Sequence, residues 1–139
     1  MAITQGLTTK FREKLLDGSH DAGDVFKIAL YTSAATLGAS TAAYTATNEV
    51  ANGNGYTTGG LTLVGFTVSV DGTTAILDWT TDPAWAASTI TARGALIYNS
   101  TDGTSVYVLD FGADKISTNG EFKVTFPAPA AATGLIRLP

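Results

Sequence analysis

The stretch Val64-Gly65-Phe66-Thr67-Val68-Ser69-Val70-Asp71-Gly72-Thr73-Thr74-Ala75-Ile76-Leu77-Asp78-Trp79 decides the fold class. Val64, Phe66, Val68 and Val70 alternate with small or polar residues, and Ala75, Leu77 and Trp79 alternate back after Asp71-Gly72. A period of two on both sides of an Asp-Gly turn predicts an antiparallel hairpin, because successive strand side chains point to opposite faces. Downstream, Asp82-Pro83 ends the returning strand, since proline cannot supply a ladder donor. A second hairpin runs through Leu96 and Tyr98 into 99–103 and back through Val106, Tyr107, Val108, Leu109 and Phe111, apolar on both faces as in a central strand. Ile116, a turn at Thr118-Asn119-Gly120, and then Phe122, Val124 and Phe126 predict another strand, broken by Pro127 and Pro129. The run 135–138 predicts a short edge strand with Arg137 outward.

Upstream, Phe26, Ile28 and Leu30 alternate with Lys27 and Ala29, which predicts a half-buried strand. Residues 32–47 are almost wholly Ala, Ser, Thr, Gly and Tyr, and together with the turn signals Asn52-Gly53-Asn54-Gly55 and Gly59-Gly60 they predict a long surface excursion over 32–60. The one helix signal lies at 10–16, with Thr8 or Thr9 to cap it and Gly18 to stop it. Leu7, Phe11 and Leu15 share one face of it, and Lys10, Arg12, Glu13 and Lys14 take the other. Seven or eight strands at about ten-residue spacing after one helix predict an all-β fold: a single antiparallel β-sandwich, jelly-roll or Ig-like, with a short N-terminal helix. Its 139 residues make one domain, with 1–23 as a helical arm.

Only 8 Lys+Arg and 12 Asp+Glu are present, so the surface is unusually neutral, and a net charge of −4 with no basic cluster argues against a nucleic-acid partner. The chain has no cysteine, which removes disulfides, thiolate catalysis and Cys-ligated zinc. The start shows no signal-peptide pattern and no stretch has the length of a membrane span, so no membrane partner is expected.

Catalytic chemistry finds few candidates. The lone His20 lies in a polar stretch that reads as a turn, and no Gly-x-Ser-x-Gly elbow accompanies it. The Asn-Gly repeat at 52–55 has neither the Gly-Lys-Ser/Thr nor the following helix of a phosphate loop. Asp71, Asp82 and Asp102 precede Gly or Pro and read as turn residues, whereas Asp78 and Asp110 fall within strands opposite the apolar positions, which predicts a solvated face rather than a glycosidase-type pair. No calcium-loop spacing occurs, and neither a cofactor nor a metal is expected. Trp79 reads as core. Trp85, in Pro83-Ala84-Trp85-Ala86-Ala87, falls outside the strand pattern and reads as a contact residue.

The segments Phe26-Lys27-Ile28-Ala29-Leu30-Tyr31, Thr45-Ala46-Thr47-Asn48-Glu49-Val50, Gly59-Gly60-Leu61, Ala95-Leu96-Ile97-Tyr98-Asn99, Val108-Leu109-Asp110-Phe111-Gly112 and Phe122-Lys123-Val124-Thr125-Phe126-Pro127 resemble a family of small tailed-bacteriophage virion proteins. The resemblance covers most of the chain. It implies a non-enzymatic structural component, a capsid decoration or cement protein, made in the host bacterial cytoplasm and placed on the capsid exterior. Its partners are then the major capsid protein and further copies of itself, with a trimer on local threefold axes as the expected assembly. The alternative is a tail-associated or fibre module that binds a host glycan through exposed Tyr and Trp. The expected interface residues are Leu7, Phe11, Leu15, Leu37, Tyr44 and Trp85. Residues 1–16 and 32–47 are expected to hold the neighbour and to be mobile in the free protein, because neither carries enough large apolar groups to stabilise itself.

Overall fold

A computed structural model describes residues 2–139. In chain order the elements are β1 (Gly6–Leu7), α1 (Thr9–Asp17), β2 (Phe26–Tyr31), β3 (Leu61–Thr62), β4 (Val64–Asp71), β5 (Thr74–Thr81), β6 (Ala84–Ser88), β7 (Thr91–Asn99), β8 (Ser105–Ile116), β9 (Gly120–Lys123) and β10 (Ile136–Leu138). They form an antiparallel five-stranded sheet in the order β1-β8-β7-β2-β3, a three-stranded sheet β10-β5-β4 and a two-stranded ribbon β6-β9. The chain is therefore all-β and sandwich-like with one short helix.

The hairpin that anchors the sequence reading is β4–β5, paired from Val64 with Thr81 to Asp71 with Thr74. Its turn is Gly72-Thr73, with Gly72 at φ 61°, the left-handed conformation that the first position of a II′ hairpin turn demands. The second predicted hairpin is β7–β8. The pairing slips by one residue between Ile97–Tyr107 and Tyr98–Ser105, leaving Val106 as the extra residue of a bulge. The Val106 carbonyl is thereby free to receive the backbone N–H and the hydroxyl of Thr8, at 3.0 and 3.2 Å. Thr8 in turn caps α1 by accepting the Phe11 N–H, and Gly18, at φ 76°, ends the helix.

The five-stranded sheet is buried on both faces, which corrects the half-buried reading of β2. One face carries Phe26, Ile28, Leu30, Ile97 and Val106 into the main core, shared with Phe11, Trp79 and Trp85. The opposite face carries Ala29, Tyr31, Leu96, Tyr98 and Val108, covered by Ile3, Ala35 and Leu37. The segment 32–60 runs largely exposed over the surface, but it is anchored: Ala35, Leu37 and Tyr44 cover the second face of the sheet, and Val50 and Tyr56 enter the main core. Its backbone is tied down along its length: Leu37 donates to Ala2 and Thr4 donates to Leu37, Ser105 donates to Ala42, Tyr44 to Gly103, and Val50 to Leu30. At Gly60, φ 79°, a side chain would put its Cβ 1.8 Å from the Ile28 carbonyl, so only glycine lets the chain lie this close to β2.

The N-terminal residues are likewise no free arm. β1 is an edge strand of the main sheet on β8, and Phe11 on α1 is 1% exposed. Residues 2–16 and 32–47 belong to the domain's own body, against the expectation of mobile attachment segments; Met1 lies outside the described residues. Lys14, expected on the outer helix face, is buried and bonds Asp102 and Thr104 in the β7–β8 turn.

Candidate functional site

The six residues expected to form one interface are dispersed, and most are consumed by the core. Leu7, Phe11 and Trp85 are buried on the main-core face, with Leu15 partly buried beside them. Leu37 is buried in the cluster on the opposite face, and Tyr44 is half-buried there, stacked on Tyr98 at 4.6 Å. Trp85 is 4% exposed because its Ala-flanked segment is strand β6, which pairs Trp85 with Phe122 and sets its ring 5.9 Å from Tyr56. The Ala neighbours hid that strand, since they give no apolar alternation to read.

The densest polar constellation surrounds Glu49, which the sequence reading did not single out. Tyr44 donates to its Oε2 at 2.5 Å, and Tyr56 and the Gly59 N–H donate to its Oε1 at 2.6 and 2.7 Å. The Tyr56 hydroxyl also accepts the Leu30 N–H at 2.9 Å, Tyr98 donates to the Gly59 carbonyl at 2.7 Å, and Tyr31 donates to the Thr45 carbonyl at 2.6 Å. Tyr44, Tyr56 and, through Gly59, Tyr98 therefore share one network, and Tyr31 ties Thr45 of the cover to the sheet beside it. Burial, and after it the Glu49 carboxylate, pushes the hydroxyls of Tyr31, Tyr44 and Tyr56 far above the usual tyrosine value. They stay neutral donors and do not exchange protons near neutrality. The network's chemistry is structural: it fastens the cover to the sheet through buried, satisfied donors. One signal in the sequence points to it, because Glu49 is the only charged residue between Lys27 and Asp71.

His20 lies in the irregular link between α1 and β2, and its ring inserts among Phe11, Phe26 and Phe66, with centroids 5.1, 5.7 and 5.9 Å away. Its Nδ1 is buried without a hydrogen-bond partner. Burial, and after it the Lys14 ammonium, holds the imidazole below its usual pKa, opposed by Asp24 and Asp21. No sequence pattern announces this cage, because its four rings come from α1, the link that follows it, β2 and β4.

The two strand carboxylates part company. Asp110 is half-exposed and bonds Arg93 and the Gly112 N–H, which hold it below the usual carboxylate range. Asp78, expected on a solvated face, is 6% exposed: the chain after β9 folds over that side of β5, and Asp78, Asp82, Thr67 and Trp79 line one cleft with Phe126 and Pro127. Burial raises the Asp78 pKa; its bond from the Trp79 N–H opposes the rise and Asp82 adds to it. Asp82 accepts the Phe126 N–H at 2.9 Å and so closes its turn. Asp102 is structural as well. Burial opposes its ionisation, but bonds from Lys14 and Thr104 prevail and bring it to about 2. Among the described residues no group of three or more His, Asp or Glu side chains is placed to hold a metal ion, and no helix is long and apolar enough to cross a membrane.

What the surface does offer is apolar. Val64, Val68 and Val70 project from β4 with 57, 63 and 70% exposure, and Leu138 on β10 continues the row. Between this sheet and α1 lies a groove of about 120 Å³ lined by Phe11, Leu15, His20, Val68, Leu77 and Ile136. No family model, curated protein or solved structure matches the chain.

Proposed function

We propose that this chain is a non-enzymatic structural protein of a tailed-bacteriophage virion, acting as a capsid decoration or cement protein that binds the head shell and further copies of itself. The observation that carries the reading is the valine row of β4, an apolar and uncharged surface that the chain leaves open while satisfying its buried carboxylates and tyrosines internally. A surface of that kind suits permanent contacts between subunits better than a freely diffusing monomer. The segments that carry the family resemblance support it too: they build β2, β7 and β8 and the pinned cover, the parts that make the body rigid. The glycan-binding alternative needs Tyr and Trp side chains at the surface, and both tryptophans together with Tyr31, Tyr56 and Tyr98 are buried.

The test is localisation on purified particles. The proposal expects this protein in the head fraction at a copy number comparable to that of the major shell protein, and expects it to rebind heads stripped of it. Recovery with detached tails at a few copies per particle overturns the decoration role and favours the tail module.

A further inference from the structure

We propose that the cleft between α1, β1 and β8 on one side and β10 on the other is a binding site for a carboxylate carried on an apolar body, held by Arg12 and Arg137 with the hydroxyls of Tyr107 and Thr74. The inference goes beyond the virion reading and stands on this cleft alone.

The cleft has a volume of about 520 Å³, within the range of roughly 300 to 1,000 Å³ that small-ligand sites occupy. It opens where the helix and the β1 edge of the five-stranded sheet meet the β10 edge of the three-stranded sheet. The polar side chains on its wall are Arg12, Thr74, Tyr107 and Arg137. Three of these carry donors that the chain itself does not use. Of the arginines, Arg93 pairs with Asp110, and the Arg137 Nη1 donates to the carbonyls of Ala131 and Ala132 at 3.3 and 2.6 Å. Arg12 is the one whose guanidinium has neither an ion pair nor a hydrogen bond among the described residues. Of the tyrosines, Tyr31, Tyr44, Tyr56 and Tyr98 all donate to named acceptors, and Tyr107 alone has no partner among the described residues. Thr74 is only 8% exposed, yet its hydroxyl is also without a partner there. Buried hydroxyls in folded proteins are nearly always bonded, so an idle one on a cavity wall points to a group that comes from outside. Unused donors from α1, β5 and β8 converge on one cavity.

The lining also selects the chemistry of the occupant. No acidic side chain faces the cleft, and neither Arg12 nor Arg137 forms an ion pair elsewhere among the described residues, so the positive charge is uncompensated and calls for an anion. The floor is Leu7, Leu135 and Ile136, each at most 8% exposed, which calls for an apolar body behind that anion. A carboxylate has two oxygens to satisfy, and the parallel N–H groups of one guanidinium with two hydroxyls match them in number. Phosphate fits less well: Arg137 is already partly engaged, and a bare inorganic anion leaves the apolar floor facing water.

The test is a heteronuclear NMR titration of the full chain at neutral pH with two probes, sodium hexanoate and the peptide N-acetyl-leucyl-glutamyl-leucinamide. Saturable shifts are expected at Arg12, Thr74, Tyr107 and Arg137. The uncharged analogues, hexanamide and the glutaminyl peptide, should bind at least about tenfold more weakly, because they forfeit the charge-assisted hydrogen bonds. Arg12→Gln should weaken both carboxylates similarly and leave the melting temperature unchanged, since the exposed Arg12 guanidinium bonds nothing within the chain. Tyr107→Phe should weaken them less, and Arg93→Gln, outside the cleft, not at all. Saturation by hexanoate shows that a free carboxylate suffices, and saturation by the peptide alone assigns the site to an acidic side chain of a partner chain; either result supports the site. Failure of both carboxylates to saturate, amides that bind as tightly, inorganic phosphate that binds as tightly, or an affinity unmoved by Arg12→Gln overturns it. None of these outcomes touches the virion reading, which copy number on particles decides.

Discussion

The cover segment 32–60 has few large apolar side chains, yet it is held on the sheet through its length; β4 has an apolar residue at every second position, and three of its valines face outward. The sheet presents the hydroxyls of Tyr31 and Tyr98, which donate to the Thr45 and Gly59 carbonyls of the cover, and the Glu49 carboxylate braces the cover internally through Tyr44, Tyr56 and the Gly59 N–H. β4 has a flank with no element beyond it among the described residues, so Val64, Val68 and Val70 stay exposed while Phe66 reaches the core. Local hydrophobicity is therefore a poor guide to which segment is anchored here. What decides is whether a neighbouring surface has unsatisfied groups that the segment can meet.

The sharpest way to break this contrast is at Glu49. Glu49→Leu leaves the Tyr44 and Tyr56 hydroxyls and the Gly59 N–H without their acceptor, at a cost of roughly 3 kcal/mol for several half-buried donors, and the loss is measured by denaturant melts with tyrosine fluorescence as the probe. If the cover were a loosely held excursion, that substitution would leave the midpoint unchanged.

His20 sharpens the contrast at the junction of helix and groove. Its imidazole is held below the usual 6.5 by burial, so the unfolded chain takes up the proton first as pH falls. Stability should therefore decrease from pH 7 toward pH 5, ahead of the Asp102 contribution, which is lost only below the ordinary carboxylate value of 3.8 toward about 2. His20→Phe should flatten the upper part of this profile in thermal melts, and an unaltered slope would show that the ring does not titrate in its cage.

At Asp78 the sign reverses. Burial raises its pKa above the ordinary 3.8, so the folded state favours the neutral acid and loses stability as pH rises through the raised value. Asp78→Asn should raise the melting temperature modestly at pH 7, with the advantage gone below about pH 4. The smallest effect is expected on the rim: Val68→Thr removes little that is buried within one chain, so it should change the midpoint of dilute protein by no more than about 0.5 kcal/mol.

The hairpin β4–β5, the capped helix and the strands β2, β7, β8 and β10 were legible because each carries its own period, cap or turn residue. The role of 32–60 was not, since it depends on Tyr31 and Tyr98 presenting a second apolar face that the alternation of Phe26, Ile28 and Leu30 does not reveal. The burial of Trp85 is hidden for a related reason: its partners Tyr56 and Phe122 are distant in sequence. Of the candidate site, the outward valines could be read only as core positions, because an alternating strand does not disclose whether another layer covers it.

Residue-resolved hydrogen exchange on dilute, monomeric protein tests the central claim most directly. The account predicts slow exchange at the amides of Thr32, Leu37, Tyr44, Val50 and Gly59, each of which donates to a named acceptor in the fold, and fast exchange at Val68 and Val70 on the open rim. Fast exchange throughout 32–60, with protection at Val68 and Val70 in the same dilute sample, would contradict it.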